Sequence, residues 1–240
     1  MVRLVGSRRG HLQRRNRRGI DIHRSPATEG ALALDVPPDT DDFDAEVLAS
    51  LVAALEVKDR ETQGHNRRVA ELSVQIGRQL GMTASQLGVL ARSGLLHDVG
   101  KLGIPVAILH KRGALTESEW KLMKTHPEIG LSIIGRVGRF KRELLAVLYH
   151  HERMDGSGYP QGLAGEAIPI EARIVAVADT YDVLTSDRHY RKACDPRDGR
   201  RVVRQEAGSH LDPTVVEALL RTLDIRASSP RELGPAFAPT

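Results

Sequence analysis

The sequence predicts an all-α fold. Apolar residues recur at three- and four-residue spacing through successive segments of 10 to 20 residues, the period of amphipathic helices. Two Thr-x-x-Gln/Glu capping boxes, Thr83 to Gln86 and Thr116 to Glu119, open helices in the middle of the chain. No segment shows the period-two alternation of a half-buried strand. Aromatics are only 3% of the 240 residues, so the core must be mostly Leu, Val, Ile and Ala, which suits helix packing.

The first 42 residues stand apart. Residues 1–24 hold eight arginines against the single acid Asp21, a net +7 that leaves −3 for the rest of a +4 chain. Low hydrophobicity with clustered charge predicts a disordered basic tail over 1–42. Such a tail can hold nucleic acid or anionic lipid, but its simpler reading is a solvated extension, and the mildly acidic folded part gives no reason to expect nucleic-acid binding. No apolar run approaches the roughly 20 residues needed to span a bilayer, and no apolar segment of a signal peptide follows the arginines. One cysteine, Cys194, leaves no internal disulfide and no thiolate metal cage. A cytoplasmic protein with no membrane attachment is the expectation.

Helical periodicity begins at Phe43 and runs through Val47, Leu48, Leu51, Val52 and Leu55 to about Lys58. A second helix spans Thr62 to Leu80, with Gly81 as its C-terminal cap. The Thr83 box opens a third, lined by Leu87, Leu90, Ala91 and Leu95, which delivers His97 and Asp98 at its end. Ile104 to Leu109 is a short helix started by Pro105. The Thr116 box opens one carrying Trp120, Leu122 and Met123, which must stop before Pro127 because pre-proline His126 is biased away from helical angles. Helices follow through Ile129, Ile133 and Ile134, and over Arg139–His151 with Leu144, Leu145 and Leu148 inward. Residues 152–168 carry four glycines and a proline and form a loop. Helix returns from Pro169 to Ser186 and from Arg200 to Gly208, and Asp212-Pro213 caps the last one. The domain then runs over 43–225, with a frayed tail at 226–240.

The chemistry gathers around LLHDVGKLGIP, residues 95–105. An adjacent imidazole and carboxylate, His97 and Asp98, reach one metal ion only where the backbone bends, and Gly100 supplies a permissive backbone for that bend. Lys101 brings positive charge back toward whatever the metal holds. Four more histidines stand where a merely structural reading is weak: His65 early in a helix, His126 before Pro127, and the pair His150-His151 ahead of the glycine loop. Asp179 lies inside the apolar run IVAVADTYDVL, where a carboxylate is costly unless paired or metal-bound.

GHNRRVAELS, LLHDVGKLGIP, LTESEWKLMKTHPEIG, HHERMDGSGYPQGL, IPIEARIVAVADTYDVLTSDRHYR and GSHLDP, over about residues 50–222, together resemble an HD-GYP domain, a branch of the HD phosphohydrolase superfamily. The resemblance implies an HD-type helical domain with a glycine-rich GYP loop beside a multi-metal site, hydrolysing cyclic di-GMP to pGpG, with GMP as the alternative end product. It implies His65, His97, Asp98, His126, His150, His151 and Asp179 as metal ligands, with Asp98 bridging two ions. Imidazole and carboxylate donors without thiolate suit divalent transition metals, and the family implies two or three ions, iron or manganese. Lys101 would neutralise charge on the phosphate, and Arg188 and Arg191 would grip it with their planar forks. Tyr159, in the Gly158-Tyr159-Pro160 loop, would donate to a phosphate or stack on guanine. His189 replaces the usual proline in TSDRHYR. Glu61, one helical turn before His65, resembles the trinuclear type, so three ions are expected with Glu61 on the outermost; a first-turn glutamate favoured by the helix dipole is the simpler reading. A sensor or diguanylate cyclase partner and a homodimer stay open. The alternatives are an HD nucleotidase for another cyclic dinucleotide and an inactive receptor or partner-binding module.

Overall fold

The structure, a computed structural model, describes residues 42–59, 64–137, 140–187 and 192–228. Nearly all of the 1–42 tail and most of the 226–240 tail therefore fall outside the described residues. The helices run α1 (Asp42–Lys58), α2 (His65–Gln79), α3 (Ala84–Leu96), a 3-10 turn Val99–Gly103, α4 (Val106–Leu109), α5 (Glu117–Met123), α6 (His126–Ile134), α7 (Leu144–Tyr149), a 3-10 turn Gly165–Ala167, α8 (Ile170–Thr185), α9 (Pro196–Gln205) and α10 (Pro213–Ser228). Among the described residues there is no strand; two isolated bridges pin loops, Asp155 to Ala164 and Ala207 to Leu211. No described helix is long and apolar enough to cross a membrane.

Two apolar clusters hold these helices. Val69, Leu72 and Ile76 of α2 meet Leu90 of α3, Ile174 and Val177 of α8, and Val215 and Leu219 of α10. Leu48 of α1, Ala70 of α2, Leu95 and Leu96 of α3, Ile134 of α6, Val147 of α7 and Phe140, which precedes α7, form the other. Adjacent residues feed different clusters, Val69 and Ala70 on α2 and Ala146 and Val147 on α7, so both helices are gripped from two sides. The N-terminal end of α2 and the C-terminal end of α7 carry candidate ligands, and this grip fixes where those ends lie.

Both capping boxes form: Gln86 Oε1 accepts from Thr83 N at 2.9 Å, and Glu119 Oε2 accepts from Thr116 N at 2.7 Å. Gly81 takes φ +72° after α2, as its capping role requires. Asp212 caps α10, accepting from Thr214 N at 2.7 Å.

Four local expectations are corrected. His126 is the first residue of α6 rather than an extended pre-proline residue. Its partner Pro127 sits in the first turn, where no amide hydrogen is needed. The helix expected over Arg139–His151 is only α7, because Phe140 turns into the core and the buried Glu143 is held by Arg92 Nε at 2.7 Å. Leu145 lies outward, 48% exposed. The helix expected at Arg200–Gly208 begins at Pro196, where Asp195 accepts from Arg197 N at 2.8 Å, the same Asp-Pro opening that starts α10.

Gly100 also has a different role from a bend. Its φ is not positive, and a Cβ there would lie 1.7 Å from His126 O and 2.6 Å from Gly130 N. It lets the 3-10 turn touch the backbone of α6, which sets His126 beside Asp98.

Candidate metal centre

The candidate ligands sit mostly at helix ends. His65 opens α2, His97 caps α3, Asp98 begins the 3-10 turn, His126 opens α6 and His150 caps α7. All five are buried. Asp179 lies within α8 and is partly buried. Helix ends bring the ligands from five different elements to one place while the apolar faces behind them stay in the core.

Three histidines are fixed in the same way. His97, His126 and His150 each place Nδ1 on the carbonyl three residues back, Gly94 O at 2.8 Å, Met123 O at 2.9 Å and Val147 O at 2.8 Å. A carbonyl only accepts, so each Nδ1 donates, and the neutral ring presents its Nε2 lone pair to the site. His97 Nε2 is buried without a hydrogen-bond partner. The Nε2 atoms of His126 and His150 face each other at 3.4 Å. Two lone pairs at that distance repel each other unless a metal ion or a shared proton lies between or beside them.

A proton is a poor cation here. Burial, and then the neighbouring His151 and His97, hold His150 well below the usual imidazole range. Burial and His126 lower His151 to about 3. Burial also lowers His126, although Asp98 opposes it. Neutral imidazoles with oriented lone pairs are what a divalent transition metal requires.

Asp98 joins two such sets. Asp98, His126, His150 and His151 form one group able to hold a metal ion, and His65, His97 and Asp98 form another, with the ligand atoms of each group within 4.8 Å of one another. Asp98 Oδ1 lies 3.5 Å from His126 Nε2, while Oδ2 lies 3.4 Å from His97 Nε2 and 2.6 Å from Lys101 Nζ. One oxygen faces each set. Burial would raise the Asp98 carboxyl, but Lys101 and His97 outweigh it and hold it well below the carboxylate range. Lys101 is raised in turn, its burial outweighed by Asp98.

His65 is held differently, by carboxylates on both ring nitrogens: Nδ1 to Asp182 Oδ2 at 2.7 Å and Nε2 to Asp179 Oδ1 at 3.2 Å. Burial lowers this imidazole, yet the two carboxylates win and raise it to about 9. Asp179 is held low, its burial outweighed by His65. Asp182 is the orienting group: besides His65 it accepts from Arg68 Nε at 2.6 Å and from Ser186 Oγ at 3.2 Å.

The glycine loop packs against the set. Tyr159 stacks on His151 with ring centroids 4.7 Å apart and planes 26° apart, and burial raises its hydroxyl pKa. Gly158 has no room for a side chain: a Cβ would lie 2.5 Å from Glu152 Cα and 2.6 Å from His151 O. The buried Glu152 accepts from Gln161 N at 2.7 Å and Leu163 N at 3.0 Å, so the residue following the histidine pair ties down the loop. A cleft of about 260 Å³ opens beside His150, His151 and Asp179, with Arg153, Glu206 and His210 among its lining residues.

Most of the expected site residues thus come together: His65, His97, Asp98, Lys101, His126, His150, His151, Tyr159 and Asp179. Glu61, Arg188, His189 and Arg191 lie outside the described residues. Three residues of the site were not anticipated. Asp182 follows Asp179 by three positions on one helix face, a legible signal. Glu152 directly follows the histidine pair. Asp59, buried with its Oδ2 3.8 Å from Lys101 Nζ, had no pattern to mark it.

The fold and site define a class: an all-helical domain whose helix ends converge on a buried histidine–aspartate cluster able to bind metals. The chain belongs to the HD domain family, whose model matches residues 49–215. This agrees with the HD-GYP resemblance of its motifs. It is 41% identical over 185 residues to the cyclic di-GMP phosphodiesterase response regulator RpfG of Xanthomonas campestris, covering 76% of this chain and 49% of that protein. It is 39% identical over 194 residues to 3'3'-cGAMP-specific phosphodiesterase 2 of Vibrio cholerae, covering 77% of this chain and 37% of that one. Among solved structures, Bd1817, an HDG"Y"P protein from Bdellovibrio bacteriovorus, matches with a TM-score of 0.57 at 20% identity over 76% of this chain and 60% of that one, which supports the fold. The chain spans about half or less of the length of the curated relatives it matches.

Proposed function

We propose that this domain is a metal-dependent phosphodiesterase that opens cyclic di-GMP to pGpG, with GMP as the alternative end product. The observation that carries the reading is the pair of opposed lone pairs on His126 and His150, beside a carboxylate whose two oxygens face two different histidine sets. Asp98, His126, His150 and His151 would hold one ion. His65, His97, Asp98 and Asp179 would hold a second, and Glu61 a third. Iron or manganese fits this nitrogen and oxygen donor set. When bound, the ions supply Lewis acidity and make water acidic enough to attack at neutral pH.

The chain's own groups do the rest. His97, His126 and His150 are oriented by their carbonyl bonds, so the site needs little reorganisation on loading. Lys101 offsets negative charge as it grows on the phosphate, and Arg188 and Arg191 grip non-bridging oxygens. The packed loop holds Tyr159 against His151 and fixes that ring. The cytoplasm, where cyclic dinucleotides act as messengers, is the proposed location, and the basic 1–42 segment is proposed as an appendage outside the 43–225 catalytic domain. A sensor or cyclase partner and a homodimer belong to the same reading.

A second substrate, 3'3'-cGAMP, is favoured by the name of the Vibrio relative. An inactive receptor is disfavoured because each described ligand position holds a competent donor. The test is hydrolysis of cyclic di-GMP, 3'3'-cGAMP and bis(p-nitrophenyl) phosphate by iron- or manganese-loaded protein. The reading expects cyclic di-GMP to be turned over fastest. A faster 3'3'-cGAMP reaction would move the substrate, and no turnover with any of them would leave a binding module.

A further inference from the structure

Helix α5 buries none of its residues, yet it is opened by a complete capping box and tied to the preceding loop by Lys111 Nζ at 2.5 Å from Glu119 Oε2. A short helix that contributes nothing to the core and is still held firmly presents something outward. What it presents is Trp120, the chain's single tryptophan, 46% exposed. Four residues on, the Lys124 ammonium lies 5.8 Å from the Trp120 ring centroid and 5.3 Å from that of Tyr159. Tyr159 in turn stacks on His151. Trp120, Lys124, Tyr159 and His151 therefore form a continuous line from a half-exposed indole to the candidate metal ligands.

The cleft beside His150 and His151, about 260 Å³, is smaller than the roughly 300–1,000 Å³ of small-molecule sites. A cyclic dinucleotide with its phosphate at the ions would extend past it, and its bases need a surface to rest on.

We propose that Trp120 and Lys124 form a guanine-binding platform at the mouth of the site, the indole stacking on one base of the dinucleotide and the Lys124 ammonium donating to that base. This rests on the phosphodiesterase reading and adds the residues that choose the base. An indole stacks on any purine, so Trp120 supplies affinity without selecting. Lys124 selects. Guanine offers two acceptors on one edge, O6 and N7, whereas adenine offers N7 beside an N6 amino group that is itself a donor. An ammonium, which only donates, meets a matched edge on guanine and a half-matched one on adenine.

Steady-state kinetics of the metal-loaded protein test this with cyclic di-GMP, cyclic di-AMP and bis(p-nitrophenyl) phosphate. Losing one base stack should raise KM for cyclic di-GMP by about 5- to 150-fold in Trp120→Ala, with Trp120→Phe recovering most of it. Turnover of bis(p-nitrophenyl) phosphate should stay unchanged, which also shows that the variant folds. Lys124→Met should narrow the preference for cyclic di-GMP over cyclic di-AMP by about 10-fold. In the wild type, stopped-flow mixing with cyclic di-GMP should quench Trp120 emission within the first turnover.

An unchanged KM in Trp120→Ala with no quenching overturns the platform while leaving the phosphodiesterase reading standing. The same result with a lost dimer would assign Trp120, with exposed Leu122 and Val106, to a subunit contact instead. A wild type that hydrolyses bis(p-nitrophenyl) phosphate but no cyclic dinucleotide overturns the substrate reading, and the platform with it.

Discussion

The Lys101 ammonium lies 2.6 Å from Asp98 Oδ2, the same oxygen that faces His97 Nε2 at 3.4 Å. Lysine and any ion held by His97 would therefore share one carboxylate oxygen. A residue so placed can neutralise that carboxylate or turn to a substrate phosphate beside it, but it is not itself a ligand, since an ammonium has no lone pair. Lys101→Ala should keep its metal content and lose about 10²- to 10³-fold in kcat, the usual cost of removing one donor to developing negative charge. Elemental analysis alongside kcat checks this. Loss of metal in parallel with activity would make Lys101 a support for Asp98 instead.

Asp182 positions His65 without being one of the candidate ligands itself. Its carboxylate accepts from His65 Nδ1 and from Arg68, so Asp182→Asn should leave His65 present but poorly aimed. Metal affinity should fall by about 10- to 100-fold, as for other groups that orient ligating histidines. Competitive titration against a chromophoric chelator measures it, and an unchanged affinity would reduce Asp182 to an ion-pair partner of Arg68.

The histidines give the metal-free protein a stability maximum in pH. His65, raised to about 9 by Asp179 and Asp182 against the effect of burial, contributes stability that is fully present below its unfolded value of about 6.5 and is lost as pH rises through 9. His150 and His151 are shifted down, so below about pH 6.5 the unfolded chain takes protons that the folded one refuses, and stability falls with pH. The Tm of chelated protein should therefore peak near pH 6 to 7. Metal loading should remove the alkaline fall, because His65 must be deprotonated to bind an ion. Thermal melts from pH 5 to 9.5 with and without manganese check both limbs; parallel curves would contradict the assignment of His65.

Gly100→Ala should destabilise the domain although its φ is not positive. The added carbon would meet His126 O at 1.7 Å, and that atom belongs to backbone, which cannot swing aside. Overpacking of this kind costs about 1–3 kcal/mol, so a fall in Tm of several degrees is expected, together with weaker metal binding as α6 and His126 move. Unaltered stability would mean that the turn and α6 separate easily.

Much of this was legible in the sequence because its causes are local. The capping boxes at Thr83 and Thr116 and the Asp-Pro opening of α10 are written in adjacent residues, and each formed. The histidines and Asp98 were legible through the order of their motifs. Apart from the local Asp195-Pro196 start of α9 and the first-turn Pro127 of α6, what escaped depended mostly on contacts distant in sequence. Asp182 matters because α8 lies against α2, which brings His65 to it across more than a hundred residues. Gly100 read as a hinge, but its meaning is the closeness of α6. Phe140 and Glu143 interrupted an expected helix because Arg92 and the core reach them from elsewhere. His126 read as extended since the pre-proline rule is local, while the start of α6 places that proline where a helix accepts it.

The most direct test is an anomalous-scattering map of protein loaded with iron, recorded at the iron edge. The account predicts two strong peaks flanking Asp98, one among His126, His150 and His151 and the other among His65, His97 and Asp179, each within about 2.3 Å of its nearest ligand atoms, with a third peak near Glu61. A single peak away from Asp98, or none in fully loaded protein, would contradict it.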